Sequence, residues 1–136
     1  MTNINRVELE TRLKTFADSY TTPMKIAYEG IPFTKPSPAV PFLECVMTGS
    51  TTTNVTTDGK RIRIRGNFMV NVWCPDGKGS KQNDEISQAL IDAFPVIPKT
   101  GFTSIEQTPN AAQAVIDVSG WRITPVTMMY RYEGVA

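Results

Sequence analysis

Between Lys60 and Cys74 apolar and polar residues alternate: Ile62, Ile64, Phe68, Val70 and Val72 share one parity, and Arg61, Arg63, Arg65, Asn67 and Asn71 share the other. Successive side chains of a strand point to opposite faces, so the pattern predicts a long strand with one buried side and one wet or partner-facing side. Gly66 interrupts the apolar parity and marks a bulge, a bend, or close approach by a neighbouring chain. Two other stretches carry a helical period instead. Leu9, Leu13, Phe16, Ala17 and Tyr20 fall on one stripe and predict a helix from about Asn5 to Tyr20, with Asn5 and Glu8 as a capping box and Pro23 beyond its end. Ile86, Ala89, Leu90, Ala93 and Phe94 make the stripe of a second helix, capped by Ser80 and stopped by Pro95 and Pro98.

The segments between these are shorter or less regular. Pro32, Pro36, Pro38 and Pro41 exclude a helix or an ordinary central strand and predict a long, partly extended connection. Phe42 to Met47 reads as a strand leading into the polar run GSTTTNVTTDGK, a hairpin projecting near residues 48–60 with an Asp58-Gly59 turn. Pro75-Asp76-Gly77-Lys78-Gly79 is turn chemistry. Beyond the second helix come a weak strand around Phe102 to Gln107, a strand from Ala114 to Val118, a tight turn at Ser119-Gly120 and a last strand from Trp121 to Tyr132. Pro125 inside that last strand predicts an edge or a bulge, and an edge is a place where another subunit could add. The order α, β, β, α, β, β, β predicts an α+β fold: a mainly antiparallel sheet with two helices packed on one face, forming one domain over residues 1–136.

Composition narrows the chemistry. The 136 residues carry 14 basic and 13 acidic side chains, a formal charge of +1, so no strong overall field draws the chain to nucleic acid or anionic lipid. The absence of histidine removes the usual neutral-pH general base, the triads built on it, and every histidine-containing metal site. Cys45 and Cys74 cannot alone make a four-ligand zinc site, and they are expected as buried free thiols of a reducing compartment. The first residues interleave charge with apolar positions and show no signal-peptide stretch, and no window reaches the roughly 20 apolar residues of a membrane helix, so a soluble protein without membrane partners is expected. Asn54-Val55-Thr56 fits a glycosylation pattern but, without a secretory signal, reads as an ordinary loop sequence.

No motif carries catalysis. GKGSK lacks the full phosphate-loop pattern and reads as a strand-to-helix turn with Lys78 and Lys81 on its rim. Asp76, Asp84, Glu85 and Asp92 form neither a paired acid–base site nor a recognised metal loop, and read as solvated acids. No catalytic residue, metal or cofactor is expected. Trp73, Trp121, Tyr130 and Tyr132 read as core or interface packing rather than a stacking platform for single strands. Arg61, Arg63 and Arg65 are the unusual charge feature, because like charges on one strand face repel unless water or carboxylates compensate them. A solvated face, a subunit or partner contact, and a phosphate contact all remain open for them.

Three segments, KIAYEGIPFTKPSPAVPFLECV, RIRGNFMVNVWCPDGKGSKQNDEISQALIDAF and GWRITPVTMMYRY, occur in an order and spacing that resembles the small bacteriophage tail terminator-like proteins, the group that includes relatives of the lambda tail terminator. The similarity covers most of residues 4 to 133. It implies a structural assembly protein, not an enzyme: a homo-oligomeric ring, usually of six subunits, that sits on the completed tail tube, stops elongation and offers a surface to head-completion or neck proteins. The implied partners are other copies, the tail tube protein and a head-completion protein, without sequence-specific nucleic-acid binding. The implied location is the tail–neck junction of the virion, reached from the host cytoplasm. By position, Thr52, Thr53, Asn54 and Asp58 of the hairpin would meet tube or neck, Arg61, Arg63 and Arg65 would line a subunit contact or lumen, and Lys78 would add charge at a rim. A monomeric neck, connector or minor tail adaptor is the alternative, and a small hydrolase using Asp76 or Cys74 a remote one.

Overall fold

The computed structural model describes residues 2–21, 23–36, 40–75, 81–96, 103–105, 109–111, 116–118 and 120–135. Three long strands make its frame: β2 (Phe42–Asn54), β3 (Arg61–Pro75) and β7 (Trp121–Val135). β3 lies in the middle, antiparallel to β2 on one side and to β7 on the other. A short β1 (Lys25–Ala27) runs parallel to β2 at one margin, and β4 (Thr103–Ile105), β5 (Asn110–Ala111) and β6 (Ile116–Val118) each pair with the far side of β7. The strand order is β1-β2-β3-β7-β4, and the sheet is antiparallel apart from the β1–β2 pair.

The helices α1 (Thr2–Ser19) and α2 (Lys81–Ala93) pack against one face of this sheet. The predicted stripes explain why. Leu9, Leu13, Phe16 and Ala17 of α1 are buried, as are Ile86 and Leu90 of α2 with Phe94 just past its end, and they meet Ile64, Phe68, Val70 and Val72 of β3 and Val126 and Met128 of β7. Burying such side chains stabilises the fold by roughly 1.5–3 kcal/mol each relative to exposure. The helices also touch one another: the Arg12 guanidinium lies over the Phe94 ring at 4.8 Å and donates to the Ala93 carbonyl at 3.4 Å. Desolvation there lowers the pKa of Arg12. The α+β arrangement expected from the alternation of periods is the observed one.

Several local expectations give way. The last strand is not an edge, because β7 has β3 on one flank and β4, β5 and β6 on the other. Pro125 is accommodated between two registers: β5 pairs with Val126 and Thr127, β6 with residues from Trp121 to Ile123, and Pro125 falls in the break between them. Helix α1 begins at Thr2, so Asn5 lies inside it rather than at its cap. Three of the residues expected in the proline-rich connection, Lys25 among them, belong to a strand, β1. At Gly66 the β3–β7 register is continuous, Arg65↔Arg131, Gly66↔Tyr130, Asn67↔Met129, so neither bulge nor bend occurs in that pair. A Cβ at Gly66 would lie 2.7 Å from the Tyr130 hydroxyl. The missing side chain makes room for a tyrosine of the facing strand, not for another chain. The Ser80 cap, Pro98, the Asp76–Gly79 turn with Lys78, Phe102, Gln107, Ala114 and Ser119 lie outside the described residues.

Candidate assembly surface

The face of the sheet away from the helices is lined by the odd residues of β3, and cross-strand pairing sets their neighbours. At one level Thr51, Arg65 and Arg131 lie in a row, at the next Thr53, Arg63 and Glu133, and on the other side Thr48, Asn67 and Met129. Among the described residues no helix packs on this face. Thr51 to Val55 are exposed without interruption, as are Arg61 and Arg65, and Met129 keeps 39% of its surface in water.

The arginines are compensated from within the chain. Arg63 donates through Nε to Glu133 Oε1 at 2.7 Å, with its second nitrogen also 2.7 Å from that oxygen, and Arg131 Nε lies 3.9 Å from it. Glu133 is thus the carboxylate that lets alternating positive charges share a face. A single sequence hides this relation, because β3 and β7 are far apart in the chain and their register is a tertiary fact. The alternation of Arg131 and Glu133 on the last strand was the available signal.

The hairpin joining β2 to β3 is closed by its own polar groups. Thr56 Oγ1 donates to Asp58 Oδ1, the Lys60 amide donates to the same oxygen at 3.0 Å, and the Gly59 amide donates to the Thr56 carbonyl at 3.1 Å with Gly59 at φ 72°. The Thr56 hydroxyl, with help from the Lys60 amide, holds the Asp58 carboxyl below the usual carboxylate range. Asp58 therefore builds the turn, while Thr52, Thr53 and Asn54 point their side chains into solvent. Within β2 the register shifts between Thr48 and Thr51, where three steps on β2 match two on β3. This is a β-bulge, and it moves the open face from the even residues of β2 to the odd ones.

At the other end of β2 the same face is roofed by the proline-rich connection. Phe33 packs on Phe42 with ring centroids 5.0 Å apart, Phe42 stacks on Trp73 at 5.2 Å, Trp121 meets Phe42 edge-on at 5.1 Å, and Lys35 Nζ sits 4.9 Å from the Trp73 centroid. Beside this cluster a cleft of about 370 Å³ runs between residues 27–35 and β2, lined among others by Ile31, Phe33, Glu44 and Trp73. Glu44 accepts from Asn71 Nδ2 at 2.9 Å and Trp73 Nε1 at 3.3 Å. Glu29 holds Arg6 at 2.9 Å and accepts the Met47 amide at 3.2 Å, and the Arg6 hydrogen bond leads in lowering its pKa. Neither carboxylate was singled out by sequence, since each lacks a charged neighbour at strand spacing.

Chemical groups elsewhere are occupied by packing. Cys45 and Cys74 are free, buried thiols, and burial pushes both up to about 12. Thiolates are the nucleophilic form, so these cysteines are inert near neutral pH. Tyr130 and Tyr132 lie in the core, and Trp73 and Trp121 in the aromatic cluster. Asp84 and Asp92 are exposed on α2, and among the described residues no three His, Cys, Asp or Glu side chains come together to hold a metal ion. No helix is long and apolar enough to cross a membrane.

The family model described as "Phage tail terminator protein" matches residues 6–130. A solved structure is similar over 97% of this chain and 95% of its own, with a TM-score of 0.73 and 22% sequence identity, a likeness of fold. Comparison with curated proteins finds no significant match.

Proposed function

This chain belongs to the phage tail terminator family, a structural, non-catalytic family of the bacteriophage tail, and from that premise we propose that it closes into a homo-oligomeric ring of six copies on the end of the tail tube. The ring stops addition of tail tube protein and offers its opposite side to a head-completion or neck protein. Its place is the tail–neck junction, reached after assembly in the host cytoplasm. The observation that carries the reading is one-sided burial. Both helices lie on one sheet face, while on the other a row of threonines, arginines and Met129 stays open among the described residues. A sheet with an uncovered face and a projecting hairpin is suited to contacts with other chains. In this reading the Arg61-Arg63-Arg65 face lines a subunit contact or the lumen, and Thr52, Thr53 and Asn54 meet tube or neck. Asp58 supports that hairpin from inside. Lys78 adds charge at a rim.

Native mass measurement of the purified protein, alone and mixed with tail tubes, tests the proposal. A closed oligomer whose mass is six times that of the chain, seen at tube ends by electron microscopy, is expected. Persistent monomer with no tube-end binding would exclude the ring and favour a neck adaptor.

A further inference from the structure

The cleft beside Phe33 and the hairpin tip at Val55 lie at opposite ends of one strand. β2 spans 13 residues, about 40 Å at roughly 3.3 Å per residue. A chain cannot bring its own tip to its own cleft across that distance. Yet the two ends are complementary. The tip presents Val55, 50% exposed, on a stem of exposed threonines, and the cleft presents Ile31, 62% exposed, beside Phe33 and Trp73. Charges at the tip and its base are Asp58, Lys60 and Arg61, two positive against one negative, and charges lining the cleft are Glu29, Glu44 and Lys35, two negative against one positive. The Thr56–Asp58–Lys60 hydrogen bonds hold the tip in shape beforehand, which lowers the ordering cost of docking it. An aromatic-walled recess that receives one apolar anchor within a polar rim is the usual form of a strong contact.

We propose that the cleft formed by the residue 28–35 connection and β2 receives the Val55 hairpin tip of a second copy of this chain. The contact uses two different patches, so it is head-to-tail and propagates until the rotation closes it. It rests on the ring reading above and adds which surfaces seal the ring.

Single-cysteine variants test it directly, because Cys45 and Cys74 are buried with raised pKa values and do not compete for a thiol reagent. Ile31→Cys and Val55→Cys alter exposed side chains and should leave the fold intact. Under a short thiol-to-thiol cross-linker, each variant alone should stay uncoupled, their mixture should give covalent dimer, and the double variant should give a ladder ending at the full ring. A second measurement, Val55→Asp, should raise the concentration at which the ring dissociates at least tenfold without changing the folded monomer. Absence of mixed dimer while the ring mass persists would overturn the cleft contact and leave the ring standing. Coupling of Val55→Cys with itself would also overturn it, in favour of tip-to-tip pairing. A chain monomeric both alone and with tail tubes removes the ring and the contact together.

Discussion

On β3, neighbouring residues have opposite surroundings. Phe68, Val70 and Val72 lie under the helices with no surface in water, whereas Arg65, exposed, and Asn67, Met69 and Asn71, half-buried, share the same backbone and face away. The first set holds the fold together by removing apolar area from water. The second contributes little to the monomer, since exposed ion pairs are worth about 0–1 kcal/mol. A single strand thus separates what the chain needs in order to fold from what it offers to other chains, and mutations on the two parities should have different readouts.

The largest effect is expected on the buried side. Phe68→Ala removes a fully buried ring that packs 6.4 Å from Phe94, and should cost about 3–5 kcal/mol in denaturant unfolding. A loss below about 1 kcal/mol would break the distinction between the faces. Gly66→Val comes next. Its Cβ would overlap the Tyr130 ring, which is 2% exposed and has little room to yield, so a loss of roughly 1–3 kcal/mol is expected, shrinking when Tyr130 is replaced by Leu. An unchanged loss in the Tyr130→Leu background would mean that another contact dictates glycine there.

Smaller effects follow from charge. Burial raises Cys45 and Cys74 from 9.0 to about 12, so the unfolded chain releases these protons first. Their contribution to stability is complete below pH 9 and is lost as pH climbs from 9 to 12. Tyr130, also raised by burial, adds to the loss above its ordinary value of 10.0. The Cys45→Ala, Cys74→Ala double variant should show a shallower decline of unfolding free energy in that alkaline window, and an identical slope would clear the thiols. The smallest effect on folding is expected on the open side. Arg63→Gln breaks a pair whose members keep 33% and 40% of their side-chain surface in water, and should cost less than about 1 kcal/mol. Reversing Arg61, Arg63 and Arg65 together should weaken assembly while circular dichroism still reports a folded chain; unchanged oligomer mass would take that face out of the proposal.

The sequence made these two parities of β3 legible because burial and exposure alternate with period two there, and it made both helix stripes legible for the analogous reason. It misled at Pro125, where a missing amide suggested an edge. The fold instead meets that residue with a gap between two short strands, an arrangement that depends on where β5 and β6 end. It was silent about β1, which is too short to show a period, and about Asn83 and Ser87, polar residues that continue the buried stripe of α2. Asn83 donates its amide to the carbonyls of Val72 at 3.4 Å and Arg122 at 3.0 Å, so it ties the helix to two strands at once. The hairpin and the arginine row could be named as candidate contacts from residue type alone. The partners Glu133 and Asp58 find within the chain, and the cleft at the other end of β2, required the register of distant strands.

The bulge between Thr48 and Thr51 has an evolutionary consequence. Because the extra residue resets which parity faces outward, the outer hairpin is uncoupled from the alternation that the core demands of Phe42 to Met47. Relatives can therefore lengthen, shorten or recompose that arm in step with a changing partner while the helices and inner strands keep their sequence rules. Deleting one residue at the bulge would instead turn Thr51 and Thr53 toward the helix side and carry Thr52 and Asn54 outward, exchanging the arm's entire outward chemistry in one step.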